Sequence, residues 1–380
     1  MADTTLSWQT LGELAGFRAR NGCALSFYVD LDPRLTPTTA DALTRVNALA
    51  DEAGKRFDSP RSGRRHDEKL SLRDGLARIR AYFEGEFQRD GSRGVAVFVA
   101  ARDDLWRPLP LATPVPDAVK VADDLYLTPL VPLADGESVL VAAVGRERGD
   151  LYELRNGRLE PLAHRFDEQP RRHDQGGWSQ ANYQRHVDNL AAQHLRGVAD
   201  EIDREIRRRK DVCLVLACPE EARAELTELL SAEARAACIG WVPAEAHADG
   251  AALLAGIEPV LRRHREDREA SLVTRWHDAL GMNGRASAGW GPTVEAATDG
   301  RIATLLYEPR ANEPVRRCPR CGRLELERDE CPLDGTPLDR REEGLDLVLH
   351  QTLLRGGKAC VMSSRPDLGP VGGIGALLRY

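Results

Sequence analysis

Three thiols and a carboxylate stand in two short repeats near one end of the chain. Cys318-Pro319-Arg320-Cys321-Gly322 sets two thiols three positions apart, and Cys331-Pro332-Leu333-Asp334-Gly335 repeats the pattern ten residues after Cys321, with Asp334 where another thiol would stand. Two thiolates at that spacing can wrap one ion, while the glycine lets backbone amides turn toward the sulfurs. Carboxylate oxygen is an accepted zinc ligand, so Cys318, Cys321, Cys331 and Asp334 make a four-ligand set expected to hold a structural Zn2+. A closed set of this kind leaves no open position for catalysis. The competing reading is a knuckle that lost its metal with its fourth cysteine and persists as a small turn.

A second constellation lies mid-chain, where Arg171-Arg172-His173-Asp174-Gln175 runs into Gly176-Gly177-Trp178-Ser179-Gln180. Paired glycines open positive-φ conformations and remove side-chain bulk, so such a loop can approach another backbone closely. The residues after it keep a helical period, and Ser179 is placed to cap that helix. A helix N-terminus presents unpaired amides and a positive dipole end, which favour phosphate or a developing oxyanion. Taken alone, the stretch reads first as a plain loop with a capping serine.

Elements must position both constellations. Ser138-Val139-Leu140-Val141-Ala142-Ala143-Val144 reads as a strand, and Asp150-Leu151-Tyr152-Glu153-Leu154 and Arg158-Leu159-Glu160-Pro161-Leu162 as a hairpin joined at Asn156-Gly157. Beyond the glycines, Tyr183, Val187, Leu190, Ala191, Leu195, Val198, Ile202 and Ile206 hold a period near 3.6, which predicts a long amphipathic helix. Its basic end, Arg207-Arg208-Arg209-Lys210, complements the dipole, and a strand at 211–217 follows. Before this region, strands at 23–30 and 94–100 flank helical patterns after Thr36 and over 70–87, and a Pro-rich region at 109–132 closes the segment. After it come a helix over 257–273, a strand at 303–307 and an apolar end, Gly372 to Tyr380, expected as a tied-down strand.

The hairpin, the glycine tip carrying Gln180, and the long helix with Tyr183, Arg185 and His186 early on resemble the central domain of the archaeal and eukaryotic class-1 peptide chain release factors. Gly289-Trp290-Gly291-Pro292-Thr293-Val294-Glu295-Ala296-Ala297, the following Gly300-Arg301-Ile302-Ala303-Thr304-Leu305-Leu306, and the closing Gly372-Gly373-Ile374-Gly375-Ala376-Leu377-Leu378-Arg379-Tyr380 resemble that family's third domain. The knuckle sits where some members carry a zinc insertion. The resemblance covers about residues 135–380 and implies a three-domain α/β (α+β) architecture: 1–133, an N-terminal domain of unassigned role; 134–251, the central domain with the tip; 252–380, a C-terminal domain with the knuckle inserted at about 316–340.

The tip departs from the family's Gly-Gly-Gln, because Trp178 and Ser179 separate Gly177 from Gln180. Gly177-Trp178-Ser179-Gln180 is similar to the Gly-x-x-Gln tip of the divergent branch that acts in ribosome-associated quality control. That likeness implies release of nascent chains from stalled large subunits, by hydrolysis of the peptidyl-tRNA ester or by cutting the tRNA near its 3′ end. Gln180 would orient the attacking water, with Gly176 and Gly177 shaping the tip and Ser179 holding the helix start. Trp178 would stack on a base, the other reading being a packed surface tryptophan, and Arg171, Arg172, His173 and Arg185 would meet phosphates of tRNA or ribosomal RNA, the other reading of Arg171, Arg172 and His173 being an ordinary solvated cluster. The first segment carries neither the Asn-Ile-Lys-Ser nor the Tyr-x-Cys pattern with which the family reads stop codons, so decoding is not expected. The alternative is a non-catalytic factor that occupies the tRNA site of the ribosome, as in hibernation; a weaker one is a zinc-dependent scaffold unconnected with ribosomes.

Bulk properties fit this reading. With 380 residues, 42% hydrophobic content and 30% charge, the chain suits several folded domains, and no apolar run is long enough to span a membrane. The start has no basic stretch followed by an apolar core, so a cytoplasmic location and a monomer are expected. Five further cysteines, Cys23, Cys213, Cys218, Cys238 and Cys360, are scattered as expected of buried free thiols. A net charge of −7 excludes indiscriminate coating of nucleic acid, leaving local arginine clusters for RNA contact. No Ser-His-Asp order or carboxylate pair suggests a competing active site.

Overall fold

In Ser-Val-Leu-Val-Ala-Ala-Val, Val139 and Val141 bury toward one face of a sheet and Leu140 and Ala142 toward the other. A strand that is apolar on both sides must be covered on both sides. The computed structural model describes residues 6–57, 65–89, 91–111, 113–134, 137–145, 148–155, 157–166, 179–209, 212–244, 250–281 and 284–380, with the side chains of 155 and 164–188 outside the description. It divides into one unit over Glu137–Arg268 and another built from Met1–Gly136 with Glu269–Tyr380.

In the second of these, β1 (Ala24–Asp30), β2 (Gly94–Ala100), β3 (Leu105–Leu111) and β4 (Ala118–Ala122) form an antiparallel sheet in the order β3-β2-β1-β4. α1 (Trp8–Ala15) precedes it, and α2 (Thr39–Phe57) and α3 (His66–Ala81) lie between β1 and β2. The Pro-rich stretch, read from sequence as the end of this segment, contributes two strands. β3 tolerates Pro108 and Pro110 because it lies at a sheet edge, where a missing amide breaks no ladder. A short helix, α4 (Val131–Ala134), closes the segment.

The unit Glu137–Arg268 holds β5 (Ser138–Val144), β6 (Arg148–Arg155), β7 (Arg158–Phe166), β8 (Val212–Ala217) and β9 (Cys238–Val242) in the order β7-β6-β5-β8-β9. β6 and β7 pair antiparallel with Arg155 opposite Arg158, so two residues make the turn, and Gly157 there has φ +66°. β5, β8 and β9 run parallel. α5 (Ser179–Arg208), α6 (Glu220–Leu229) and α7 (Ala232–Ala237) cover one face through Leu195, Val198, Ile202, Ile206, Leu226 and Ala234. α8 (Gly250–Gly281) covers the other through Leu253 and Ile257. The result is a three-layer α/β/α sandwich.

The remaining strands, β10 (Ala286–Ala288), β11 (Ile302–Tyr307), β12 (Val315–Arg317), β13 (Leu324–Glu325), β14 (Asp339–Arg341), β15 (Lys358–Val361) and β16 (Ile374–Leu378), make two sheets ordered β10-β16-β11-β15 and β13-β12-β14. α9 (Trp290–Thr298) and α10 (Gly344–Leu354) pack with them. One apolar core runs through Leu11, Tyr28, Phe98, Leu130, Ala296, Tyr307, Val348 and Ile374, so the first and last stretches of the chain share it. The apolar end is the strand expected, held between β10 and β11.

The closing glycines have identifiable work. Gly372 and Gly373 take φ of +76° and +75°, where a side chain would strain the backbone. Gly375 lies against Trp276, whose indole N–H donates to the Ser287 carbonyl at 2.8 Å.

Candidate functional site

Two features position the chemistry expected from sequence: the N-terminal end of α5 and the loops around β12, β13 and β14. The described helix runs from Ser179, with Gln180 directly after it and Arg185 a turn and a half further on. Arg171, Arg172, His173, Gly176, Gly177 and Trp178 lie outside the described residues, as do the side chains of Ser179, Gln180 and Arg185.

What the structure describes is how α5 is anchored. Among the described side chains of α5, Leu190 and Ala191 are half-buried, and His194, Leu195, Val198, Ala199, Ile202 and Ile206 are buried. At a rise of about 1.5 Å per residue, Ser179 stands roughly 22 Å along the axis from His194. The far end of α5 is fixed by charge. Glu205 is buried and accepts from Arg208 at 2.8 Å and from Arg209, which also lies 3.7 Å from Glu153. Burial works against the Glu205 carboxylate, but Arg209 and then Arg208 outweigh it and hold its pKa below the ordinary value. Arg208 and Arg209 are thus engaged in closing the helix, as the dipole argument anticipated.

The knuckle residues converge. Cys318, Cys321, Cys331 and Asp334 bring their ligand atoms within 4.8 Å of one another. The two halves share a backbone design: Gly322 N–H donates to the Cys318 carbonyl and Gly335 N–H to the Cys331 carbonyl, both at 2.9 Å, and the two glycines have φ of +78° and +69°. Cys318 N–H reaches the Arg323 carbonyl and Cys331 N–H the Thr336 carbonyl, again at 2.9 Å each. The first half is the turn of the β12–β13 hairpin, and β14 pairs on the other side of β12. Buried Val315 and Leu324 tie this small sheet to the core.

The donor set fits zinc. Cys321 Sγ and Cys331 Sγ are 3.6 Å apart, far beyond a disulfide bond and close to the ~3.8 Å between two thiolates on one tetrahedral ion with Zn–S of about 2.3 Å. Burial raises the Cys318 pKa, but amide donors from Cys321 and Arg320, then the neighbouring thiols, bring it below the ordinary thiol value. Burial pushes Cys331 up to about 11. The Thr336 amide donates to Asp334 Oδ1 at 3.0 Å and, with other hydrogen bonds, lowers the Asp334 pKa, so the carboxylate is ionised and oriented. These four residues are the ones that would hold the ion, and its role would be to join the two loops.

A third cluster escaped the sequence reading. Glu137, Cys213 and His264 also bring their ligand atoms within 4.8 Å of one another. They are separated by 76 and 51 positions, so no local spacing signals them; the one hint is a thiol near the start of a strand whose neighbours are otherwise aliphatic. None of the other five cysteines is in a disulfide; Cys23, Cys213, Cys218 and Cys360 are buried as expected, whereas Cys238 is half-buried.

Comparison with known proteins bears on the middle of the chain. Residues 126–262 match a family model of release factors, so this stretch, which contains the hairpin, α5 and the parallel strands, is release-factor-like. The family is described as bacterial archaeo-eukaryotic release factor family 10. No curated protein matches the chain. Among solved structures the chain is similar to the archaeal translation termination factor aRF1, at 15% identity over 98% of both chains with a TM-score of 0.28. It is also similar to Archaeoglobus fulgidus Pelota, at 16% identity over 78% of this chain and 81% of that one, TM-score 0.35. For Dom34 of S. cerevisiae the values are 14% identity, 76% and 79% coverage and a TM-score of 0.38. No helix among the described residues is long and apolar enough to cross a membrane.

Proposed function

We propose that this chain is a ribosome rescue factor that releases nascent chains from stalled large subunits by hydrolysing peptidyl-tRNA, without reading a stop codon. The observation that carries the reading is the match of residues 126–262 to the release-factor family, which spans the segment containing Gly176-Gly177-Trp178-Ser179-Gln180. Two features support it. The tip leads in sequence directly into a long helix, whose described side chains Leu195, Val198, Ile202 and Ile206 are buried against the sheet. The helix N-terminus supplies amides and a positive dipole end where an oxyanion would develop.

In this reading Gln180 orients water at the ester, Gly176 and Gly177 allow close approach to the tRNA end, and Trp178 stacks on a base. Arg171, Arg172, His173 and Arg185 hold phosphates. The protein contributes position and electrostatics, the ribosome much of the surroundings. The Cys318, Cys321, Cys331 and Asp334 set holds a structural Zn2+.

The test is release of peptide from stalled large subunits by the wild-type protein and by Gln180→Ala. Release by the wild type that falls about 100-fold or more in the variant supports the reading. Equal release by both would overturn it, and co-sedimentation with ribosomes without release by either would favour simple occupancy of the tRNA site.

A further inference from the structure

β5 and β8 run parallel with Val139 opposite Cys213, so the residue just before β5, Glu137, comes to the same end of the paired strands as Cys213 near the start of β8. α8 crosses the face that carries Val139 and Cys213. Its apolar contacts with the sheet, Leu253, Ile257 and Leu261, continue at helical spacing into His264 and Arg268, which reach the same end. Cys213 Sγ lies 3.0 Å from Glu137 Oε2 and 3.5 Å from His264 Nε2, and His264 Nε2 lies 2.6 Å from the same carboxylate oxygen. Arg268 takes the other oxygen, Glu137 Oε1, at 3.7 Å.

From this arrangement we infer that Glu137, Cys213 and His264 form a second divalent-metal site, selective for a zinc-class ion and separate from the knuckle. The three atoms are a thiol, an imidazole nitrogen and a carboxylate oxygen, a mixed donor set suited to borderline-soft zinc and ill suited to magnesium or calcium. The sulfur–nitrogen separation already equals the ~3.5 Å that a tetrahedral ion imposes with Zn–S of about 2.3 Å and Zn–N of about 2.0–2.1 Å. The two distances to Glu137 Oε2 are those of hydrogen bonds, and the carboxylate needs to withdraw by only about 0.5–0.7 Å to become a ligand. Glu137 is one-third exposed, which leaves it room to do so.

Arg268 on Oε1 leaves Oε2 as the ligand oxygen and would orient the carboxylate as partners of metal ligands do. With three protein ligands, and with His264 and Glu137 both partly open to solvent, the fourth position is left for water or an exchangeable anionic ligand. Without the ion, burial and then the Glu137 carboxylate push the Cys213 thiol up to about 12, so it acts as a hydrogen-bond donor and not as a nucleophile. Metal entry displaces that proton to solvent. The inference does not depend on the rescue function.

The experiment loads the full-length protein with Zn2+, removes excess by gel filtration and measures metal per chain in the wild type, Cys213→Ser, His264→Gln and Glu137→Gln. The knuckle contributes equally to all four, so the difference isolates the second site. The wild type should hold one equivalent more than Cys213→Ser and His264→Gln, with Glu137→Gln binding at least tenfold more weakly in competition with a chromophoric chelator. Circular dichroism confirms folding, and the partly exposed His264 keeps the comparison valid should the buried Cys213 variant unfold. Equal metal content in the wild type and His264→Gln, or a wild type with no zinc removable by either substitution, overturns the inference.

Discussion

Gly149→Ala tests whether the packing of α5 on its sheet governs both stability and release. Gly149 lies near the start of β6, and a Cβ placed there would stand 2.5 Å from Val198 Cγ2 and 3.4 Å from Cγ1. Ordinary carbon contacts are about 3.5–4.0 Å, so the new methyl intrudes by about 1 Å. Val198 is buried at 2% exposure and, as a β-branched residue in a helix, has one favoured rotamer, so it cannot swing aside. The helix must shift, or neighbouring side chains must leave their rotamers, at a cost of about 1–3 kcal/mol. For a unit of this size that lowers Tm by roughly 3–5 °C per kcal/mol. Ser179 is nineteen residues from Val198, about 28 Å along the axis, so a small tilt moves the tip by an ångström or more, enough to reduce release by about 100-fold.

The assay is a double-mutant cycle with Val198→Ala in urea unfolding, alongside peptide release. Val198→Ala alone leaves a cavity, but in the pair its lost methyls make room for the methyl added at position 149, so the two changes should couple favourably by about 1–3 kcal/mol. Additive destabilisation, or a Gly149→Ala protein as stable as the wild type, would refute the argument.

Gly375→Ala, whose Cβ would stand 2.8 Å from Trp276 Nε1 and 3.0 Å from the Ser287 carbonyl, should cost about 1–3 kcal/mol in thermal unfolding and redshift the tryptophan fluorescence. Glu205→Gln should lose about 1–3 kcal/mol at neutral pH, because its charged hydrogen bonds from Arg208 and Arg209 are lost. Because the folded pKa of Glu205 is depressed, its contribution is present above the unfolded value of about 4.3 and fades as pH falls through the folded value; the variant should therefore show a flatter acid limb in unfolding measured from pH 7 to pH 3. Removing zinc with a strong chelator should lower Tm and expose the Cys318, Cys321 and Cys331 thiols to a thiol reagent, whereas an unchanged thiol count and Tm would show that the loops stand without an ion. Asp334→Asn, which keeps the hydrogen bond from Thr336 but removes the charge, should weaken zinc at least tenfold in chelator competition.

Much of the fold follows from patterns that are local in the chain. The continuous apolar run of β5, the two-residue Asn-Gly turn, the helical period of α5 and the Cys-Pro-x-Cys-Gly spacing each involve residues close enough in sequence for one backbone geometry to satisfy them, and the described elements agree with the expectation. The strands at 105–111 and 118–122 were not read from the sequence, because proline weighs against a strand unless that strand lies at an edge, and edge position is a property of the sheet. α6, α7 and β9 were likewise not read from the sequence: the two helices are rich in the helix formers Ala, Glu, Leu and Arg but too short to show a clear period, and β9 is only five residues long.

The knuckle stands on the sequence side of this division, since its ligands lie within a single run of the chain and their spacing already sets how they wrap an ion. The glycine tip also stands there, as a pattern of residues whose meaning comes from resemblance. Tertiary structure decided what lies far apart: that the first and last stretches share one core, that Gly149 and Val198 meet, and that Glu137, Cys213 and His264 converge at the starts of two parallel strands. Parallel strands require long crossover connections, so residues brought together at their ends are separated by whole helices in the chain, and no spacing rule can reveal them.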